Sequence, residues 1–371
     1  MQCVERATRV FPVPARCFTP SCLLRALPIA DDGSPVGYYY YPSPSNSSLT
    51  IVYLEGGGWC YNQASCAGRP SSLTSSKGWA PTASFAGLMS PQEPHLAAAN
   101  RVFLRYCSSD GWLGSSTAPV FPGFAMMGRA YLAAVLEDLV ATQGLGAAPA
   151  TELLLTGCSA GARGALFNAD FFFARAAALL PRTRLQPAVL FDSHFWMDVA
   201  PLSPSAVPFR TQVQDVFALV GAGAPGYLIP ACTAAFPAEP WRCMFGEFAT
   251  NYTQQPYFAY VFQFDSFQLG EDEGVKTPTT PAQIAYANTF RGELRAAAEA
   301  AIIRPARAGT AAMLPACFHH CNTGGASFST AATNGVTLEA ALAGWLFNLP
   351  AKGQFIEEQC TGFACGKGCP A

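Results

Sequence analysis

Residues 153–170 read LLLTGCSAGARGALFNAD. An apolar run enters Gly157-Cys158-Ser159-Ala160-Gly161, and a long stretch rich in Ala, Leu and Phe leaves it. A Gly-x-Ser-x-Gly set between a strand and a helix is a sharp turn that exposes the serine at the C-terminal edge of a sheet. Glycines two before and two after let backbone segments pack closely. The Ser159 hydroxyl then stands at a helix N-terminus, whose dipole favours a developing negative charge. The bare pattern is frequent by chance, and its weight comes from the flanking elements. The competing reading is a turn of small residues.

The same alternation continues outward. Residues 49–54 (LTIVYL), 101–106 (RVFLRY), 152–156 (ELLLT), 187–191 (PAVLF) and 259–264 (AYVFQF) read as strands. Residues 128–143, 160–180, 289–303 and 337–347 have helical character. Strands alternating with helices predict an α/β fold, with a mainly parallel central sheet flanked by helices. No linker divides the chain, so a single domain over 1–371 is expected. The Pro/Gly-rich stretch 201–245 reads as a cap or insert, and 350–371 as a Cys-rich tail.

Composition narrows the classes. Only 12% of the 371 residues are charged and the net charge is −2, so no basic field exists to hold nucleic acid. No run of 18 apolar residues predicts a membrane span. Fourteen cysteines, an even count, predict about seven bridges and an oxidising compartment. Cys232–Cys243, bracketing a Pro/Ala loop, is the one pairing assigned. Asn46 and Asn251 open Asn-x-Ser/Thr sequons. Residues 1–20 lack the apolar core of a signal peptide, so the expectation is a secreted chain whose true start lies upstream.

An activated serine needs oxyanion donors. Leu54-Glu55-Gly56-Gly57-Gly58-Trp59-Cys60 follows a strand upstream of the elbow, the place of the glycine-rich oxyanion loop in α/β-hydrolases. Gly57 and Gly58, with Ala160, are the expected N–H donors. In that fold the chain order is serine, acid, histidine. Of His95, His194, His319 and His320, the last two lie in a loop pinned by Cys317 and Cys321. Asp265 and Asp192 each close a strand, and fold order favours the later one. A zinc site on Cys317, Cys321 and a histidine competes weakly, because adjacent histidines rarely point at one ion.

LEGGGWCYN (54–62), YCSSDGWLG (106–114), GCSAGARGALFNAD (157–170), FDSHFW (191–196), FQFDSFQL (262–269) and ACFHHC (316–321) occur in this order. Together they resemble the pectin acetylesterase/Notum carboxylesterase family. Cys360, Cys365 and Cys369 resemble the tail of its plant members. The resemblance implies a serine carboxylesterase with Ser159 as nucleophile, Asp265 as acid and His320 as base, using no metal or organic cofactor. It places Trp59, Asp110, His194, Met244 and Phe245 around the substrate. His194, Ser108-Ser109-Asp110 and Ala162-Arg163 depart from the usual pattern. The expected substrate is acetyl on a pectin-type cell-wall polysaccharide, met by a monomer. Local arginines (Arg69, Arg105, Arg163) would contact its acidic groups or be surface charges. The alternatives are a long acyl chain on a protein, as in Notum, and a silent extracellular binding protein on the same fold.

Overall fold

The computed structural model describes residues 8–12, 28–224, 226–305, 307–349 and 353–370. Its centre is a ten-stranded sheet. In chain order the strands are β1 (Thr8–Pro12), β2 (Gly37–Tyr41), β3 (Leu49–Leu54), β4 (Thr82–Ala83), β5 (Asn100–Leu104), β6 (Ala150–Cys158), β7 (Arg184–Asp192), β8 (Tyr257–Tyr260), β9 (Thr310–Leu314) and β10 (Gln354–Glu357). Across the sheet they lie in the order β10-β9-β8-β7-β6-β3-β5-β2-β1-β4. The run from β10 to β5 is parallel, and β2, β1 and β4 continue it antiparallel.

Apolar runs explain the parallel centre. All six residues of β3 are buried, as a strand covered on both faces requires. Alternate residues sort into two cores. Val52, Leu54, Leu153 and Leu155 point to one, and Ile51, Tyr53 and Leu154 to the other. The first is covered by α1 (Gly128–Thr142), α2 (Ala160–Leu179), α3 (Phe209–Leu219) and α5 (Pro281–Ala298). The second is covered chiefly by α6 (Leu338–Leu346). A short helix, α4 (Ser266–Glu273), follows β8.

This topology places the site. The next parallel strand in the chain after β3 is β5, on one side of it, while β6 lies on its other side. Their shared C-terminal edge is the switch point at which open α/β sheets bind ligands. The Gly56-Gly57-Gly58 loop leaves β3 there, and Ser159 leaves β6.

Five disulfides join described residues: Cys60–Cys66, Cys158–Cys321, Cys232–Cys243, Cys317–Cys369 and Cys360–Cys365. The assigned Cys232–Cys243 pairing is present. Complete pairing is not, because Cys107 is a buried free thiol. Cys3, Cys17 and Cys22 lie outside the described residues. Among those described, no helix is long and apolar enough to cross a membrane.

Candidate active site

The elbow is built by steric exclusion. Ser159 has φ 58° and ψ −123°, a sparsely populated region for a non-glycine residue. A Cβ at Gly161 would lie 2.0 Å from the Leu54 carbonyl oxygen, and one at Gly157 would lie 2.5 Å from it. Neither position accepts a side chain. Ser159 donates its N–H to the Asp192 carbonyl (2.9 Å), so the turn is tied to the next strand.

The glycine loop is clamped from below. Gly57 and Gly58 have φ 141° and 65°, which glycine alone adopts without strain. Arg69 Nη1 donates to the Gly57 carbonyl (2.6 Å), and its Nε donates to Ser109 Oγ (3.0 Å). Cys60 bonds to Cys66 and donates its N–H to the Ser109 carbonyl (2.9 Å). Glu55 ion-pairs with Arg105 (3.0 Å) and accepts the Tyr106 N–H (2.7 Å). Arg69 and Cys66 were not singled out for this role from sequence. The available signal was the helix-capping pair Asn62/Ser65, which fixes the turn between them.

Asp265 and His320 arrive from adjacent crossovers. Phe264–Asp265 pairs with Phe318–His319 as a short parallel ladder beyond β8 and β9. Asp265 Oδ1 caps α4, accepting the Phe267 (3.1 Å) and Gln268 (3.0 Å) N–H groups. Its Oδ2 lies 2.7 Å from His320 Nδ1. His320 Nε2 is buried and has no partner among the described residues. The imidazole packs tilted against Phe267 at 5.2 Å. Burial lowers its pKa, but the Asp265 charge and hydrogen bond, with the Asp192 charge, outweigh burial and raise it above 6.5.

Asp192, the other candidate acid, has a different task. Its Oδ2 accepts the Asn322 and Thr323 N–H groups (both 2.7 Å) and the Thr323 hydroxyl (2.8 Å). Ser193 Oγ accepts the Cys321 N–H (2.9 Å). Asp192-Ser193 therefore grips the loop that carries His320. Burial raises the Asp192 pKa, and these donors oppose the shift. Cys158–Cys321 ties the residue before Ser159 to the residue after His320. Ser193 and Cys321, like Ser159, hold positive φ (62° and 69°), so backbone strain gathers where the three segments meet.

Several expected contacts are corrected. Asp110 is turned inward: its buried carboxylate accepts from Ser108 Oγ (2.7 Å) and from the Trp112, Gly114 and Gly128 N–H groups (2.8 Å each). It organises the loop after β5. His194 is wholly buried between Phe191 and Phe195, with Nε2 3.1 Å from Thr250 Oγ1. Burial, then Arg163, drops its pKa to about 3, so it stays neutral. Met244 and Phe245 are also wholly buried and form no open wall. Trp59 remains beside the glycine loop, donating Nε1 to Gln212 of α3 (3.1 Å). Arg105 and Arg69 are engaged as above, and Arg163 is buried, so none is a surface charge waiting for an acidic polymer. His319 packs against Phe262. The zinc alternative loses its thiolates, since Cys317 and Cys321 are both oxidised.

Sheet order, the elbow at the switch point and the Ser–Asp–His order along the chain define an α/β-hydrolase-like protein. The pectinacetylesterase family's model matches residues 28–370, and the chain belongs to that family. It is 35% identical to the Drosophila melanogaster palmitoleoyl-protein carboxylesterase Notum over 277 residues, 71% of this chain and 40% of that protein. It is 31% identical to the Mus musculus Notum over 343 residues, 87% of this chain and 64% of that protein. It thus spans less than two thirds of these two relatives. Arabidopsis thaliana pectin acetylesterase 11 is 28% identical over 374 residues, 92% of this chain and 88% of that protein. A crystal structure of the Drosophila Wnt deacylase Notum superposes with a TM-score of 0.86 at 29% identity, covering 98% of this chain and all of that one.

Proposed function

We propose that the protein is a serine carboxylesterase acting by double displacement. His320, oriented by Asp265, takes the Ser159 proton, and the alkoxide attacks the ester carbonyl. The N–H groups of Gly57, Gly58 and Ala160 hold the tetrahedral oxyanion; losing one such donor typically costs about 3–4 kcal/mol. His320 then protonates the leaving hydroxyl. Water repeats the cycle, with His320 as base, and releases the acid. The carrying observation is the 2.7 Å His320–Asp265 contact on a loop disulfide-bonded to the residue before Ser159.

The substrate we assign is acetyl on a pectin-type cell-wall polysaccharide, hydrolysed outside the cell. The alignment with pectin acetylesterase 11 supports this, because it runs over 88% of that protein. The disulfides support an oxidising location. The 35% identity to a palmitoleoyl-protein carboxylesterase favours the competing acyl class.

The test is hydrolysis of p-nitrophenyl acetate and release of acetate from acetylated pectin. Ser159→Ala is expected to lower kcat by roughly 10³-fold or more, with the fold intact by circular dichroism. Full activity in that variant would end the nucleophile assignment.

A further inference from the structure

Arg163 is a buried cation beside the site. It is 1% exposed, and no carboxylate pairs with it among the described residues. Its guanidinium carbon lies 3.8 Å from the Trp59 ring centre and 3.7 Å from that of Trp196. Nη2 donates to the Met244 carbonyl (3.0 Å), and Nε has no partner. Desolvation pulls its pKa well down. Burying a guanidinium is costly, and contact with the two indole rings returns part of that cost when desolvated. An apolar side chain would be buried here more cheaply. A role beyond filling is therefore implied.

Its place gives the role. Arg163 is one helical turn past Ser159, and its N–H bonds the Ser159 carbonyl (3.0 Å). Trp59, the residue after Gly58, and Trp196 meet edge to face with ring centres 5.4 Å apart, and the guanidinium sits in the corner between their rings. Trp196 in turn stacks on Phe267 (5.4 Å), whose ring packs tilted against the His320 ring (5.2 Å). Arg163, Trp59, Trp196 and Phe267 thus form one packed cluster that joins the oxyanion loop to the base. The names of the relatives span two acyl classes, acetyl and palmitoleoyl. A long apolar tail entering here would have to displace the planar group from both tryptophans. It would also meet the unpartnered Nε, which it has no means to satisfy.

We propose that Arg163, seated in the corner of the Trp59–Trp196 pair, closes the floor of the acyl site and restricts the enzyme to short acyl groups. The assignment rests on the esterase reading above. The experiment is the ratio of kcat/KM for p-nitrophenyl octanoate to that for p-nitrophenyl acetate. The wild-type ratio is expected to be below one tenth. Arg163→Ala is expected to raise it at least tenfold. Arg163→Met, unbranched and slimmer than the guanidinium, is expected to raise it at least threefold, and it carries the test if the alanine variant does not fold. A folded variant with an unchanged ratio overturns the assignment, as does a wild type that prefers octanoate. In both cases Ser159-dependent turnover leaves the esterase reading standing. Absence of Ser159-dependent turnover of any ester removes both.

Discussion

At the scale of single residues, His320 is pulled two ways. Burial favours the neutral ring, while Asp265 and Asp192 favour the charged one and prevail. With the folded pKa above 6.5, the His320–Asp265 contact stabilises the fold below that pH and is lost as pH rises through the folded value. A base must be neutral, so kcat/KM is expected to rise with pH through an ionisation above 6.5. Asp265→Asn removes the charge, so the apparent pKa should fall, and kcat should drop about 10⁴-fold as the ring takes the wrong tautomer. A pH–rate profile of both forms checks this; an unshifted variant would remove Asp265 from the role. Ser159 is legible from sequence because its signal is local, a turn with its own strand and helix. Asp192 and Asp265 are not separable in that way, since both close a strand. What separates them is the direction of each carboxylate, one to backbone donors and the other to imidazole. Asp110 misleads for the same reason: a polar residue beside the site is equally often an anchor for loop amides.

Elements were read well where they are long and aliphatic. The Leu49–Leu54 strand matches the apolar run residue for residue, and Ala160–Leu179 ends one residue from the expected helix. Gly37–Tyr41 is not legible because a run of tyrosines carries no alternation, nor is Thr310–Leu314, whose two alanines dilute its pattern. The Ala-rich helix begins at Pro281 rather than 289, and its Thr280/Gln283 capping box was the unread start signal. It passes into a π-turn over Glu299–Ile303. The loop bearing His320 shows how elements cooperate: β7 ends in Asp192-Ser193, which accepts backbone N–H groups from Cys321, Asn322 and Thr323. Asp192→Asn turns part of a three-bond acceptor into a donor facing donors. Each buried group left unsatisfied costs about 1–3 kcal/mol, so thermal unfolding is expected several degrees lower. The loop it steadies carries the base, so kcat should fall more than KM rises. A variant with lowered Tm but wild-type kcat would show that Asp192 serves the fold alone.

At the scale of the molecule, the disulfides among the described residues divide into two groups by what they fasten. Cys60–Cys66, Cys232–Cys243 and Cys360–Cys365 close short loops with sequence separations of 6, 11 and 5 residues. Cys158–Cys321 and Cys317–Cys369 have separations of 163 and 52, and both end on the segment that carries His320. In the chain-entropy view a bridge closing more than a hundred residues restricts the unfolded chain by about 5 kcal/mol. The native cost of losing it is expected to fall first on the base loop, because Cys321 lies on that loop, while the two cores pack against the sheet. Mild reduction is therefore expected to uncouple function from fold. As dithiothreitol is raised, ester hydrolysis should decline while far-ultraviolet circular dichroism and the buried tryptophan emission stay native. Cys158→Ser/Cys321→Ser should reproduce that loss without reductant, and dithiothreitol should then do little more to the residual rate. If activity instead falls only in step with global unfolding, the bridges hold the molecule as a whole, and the base loop is rigid through Asp192 and Ser193 alone.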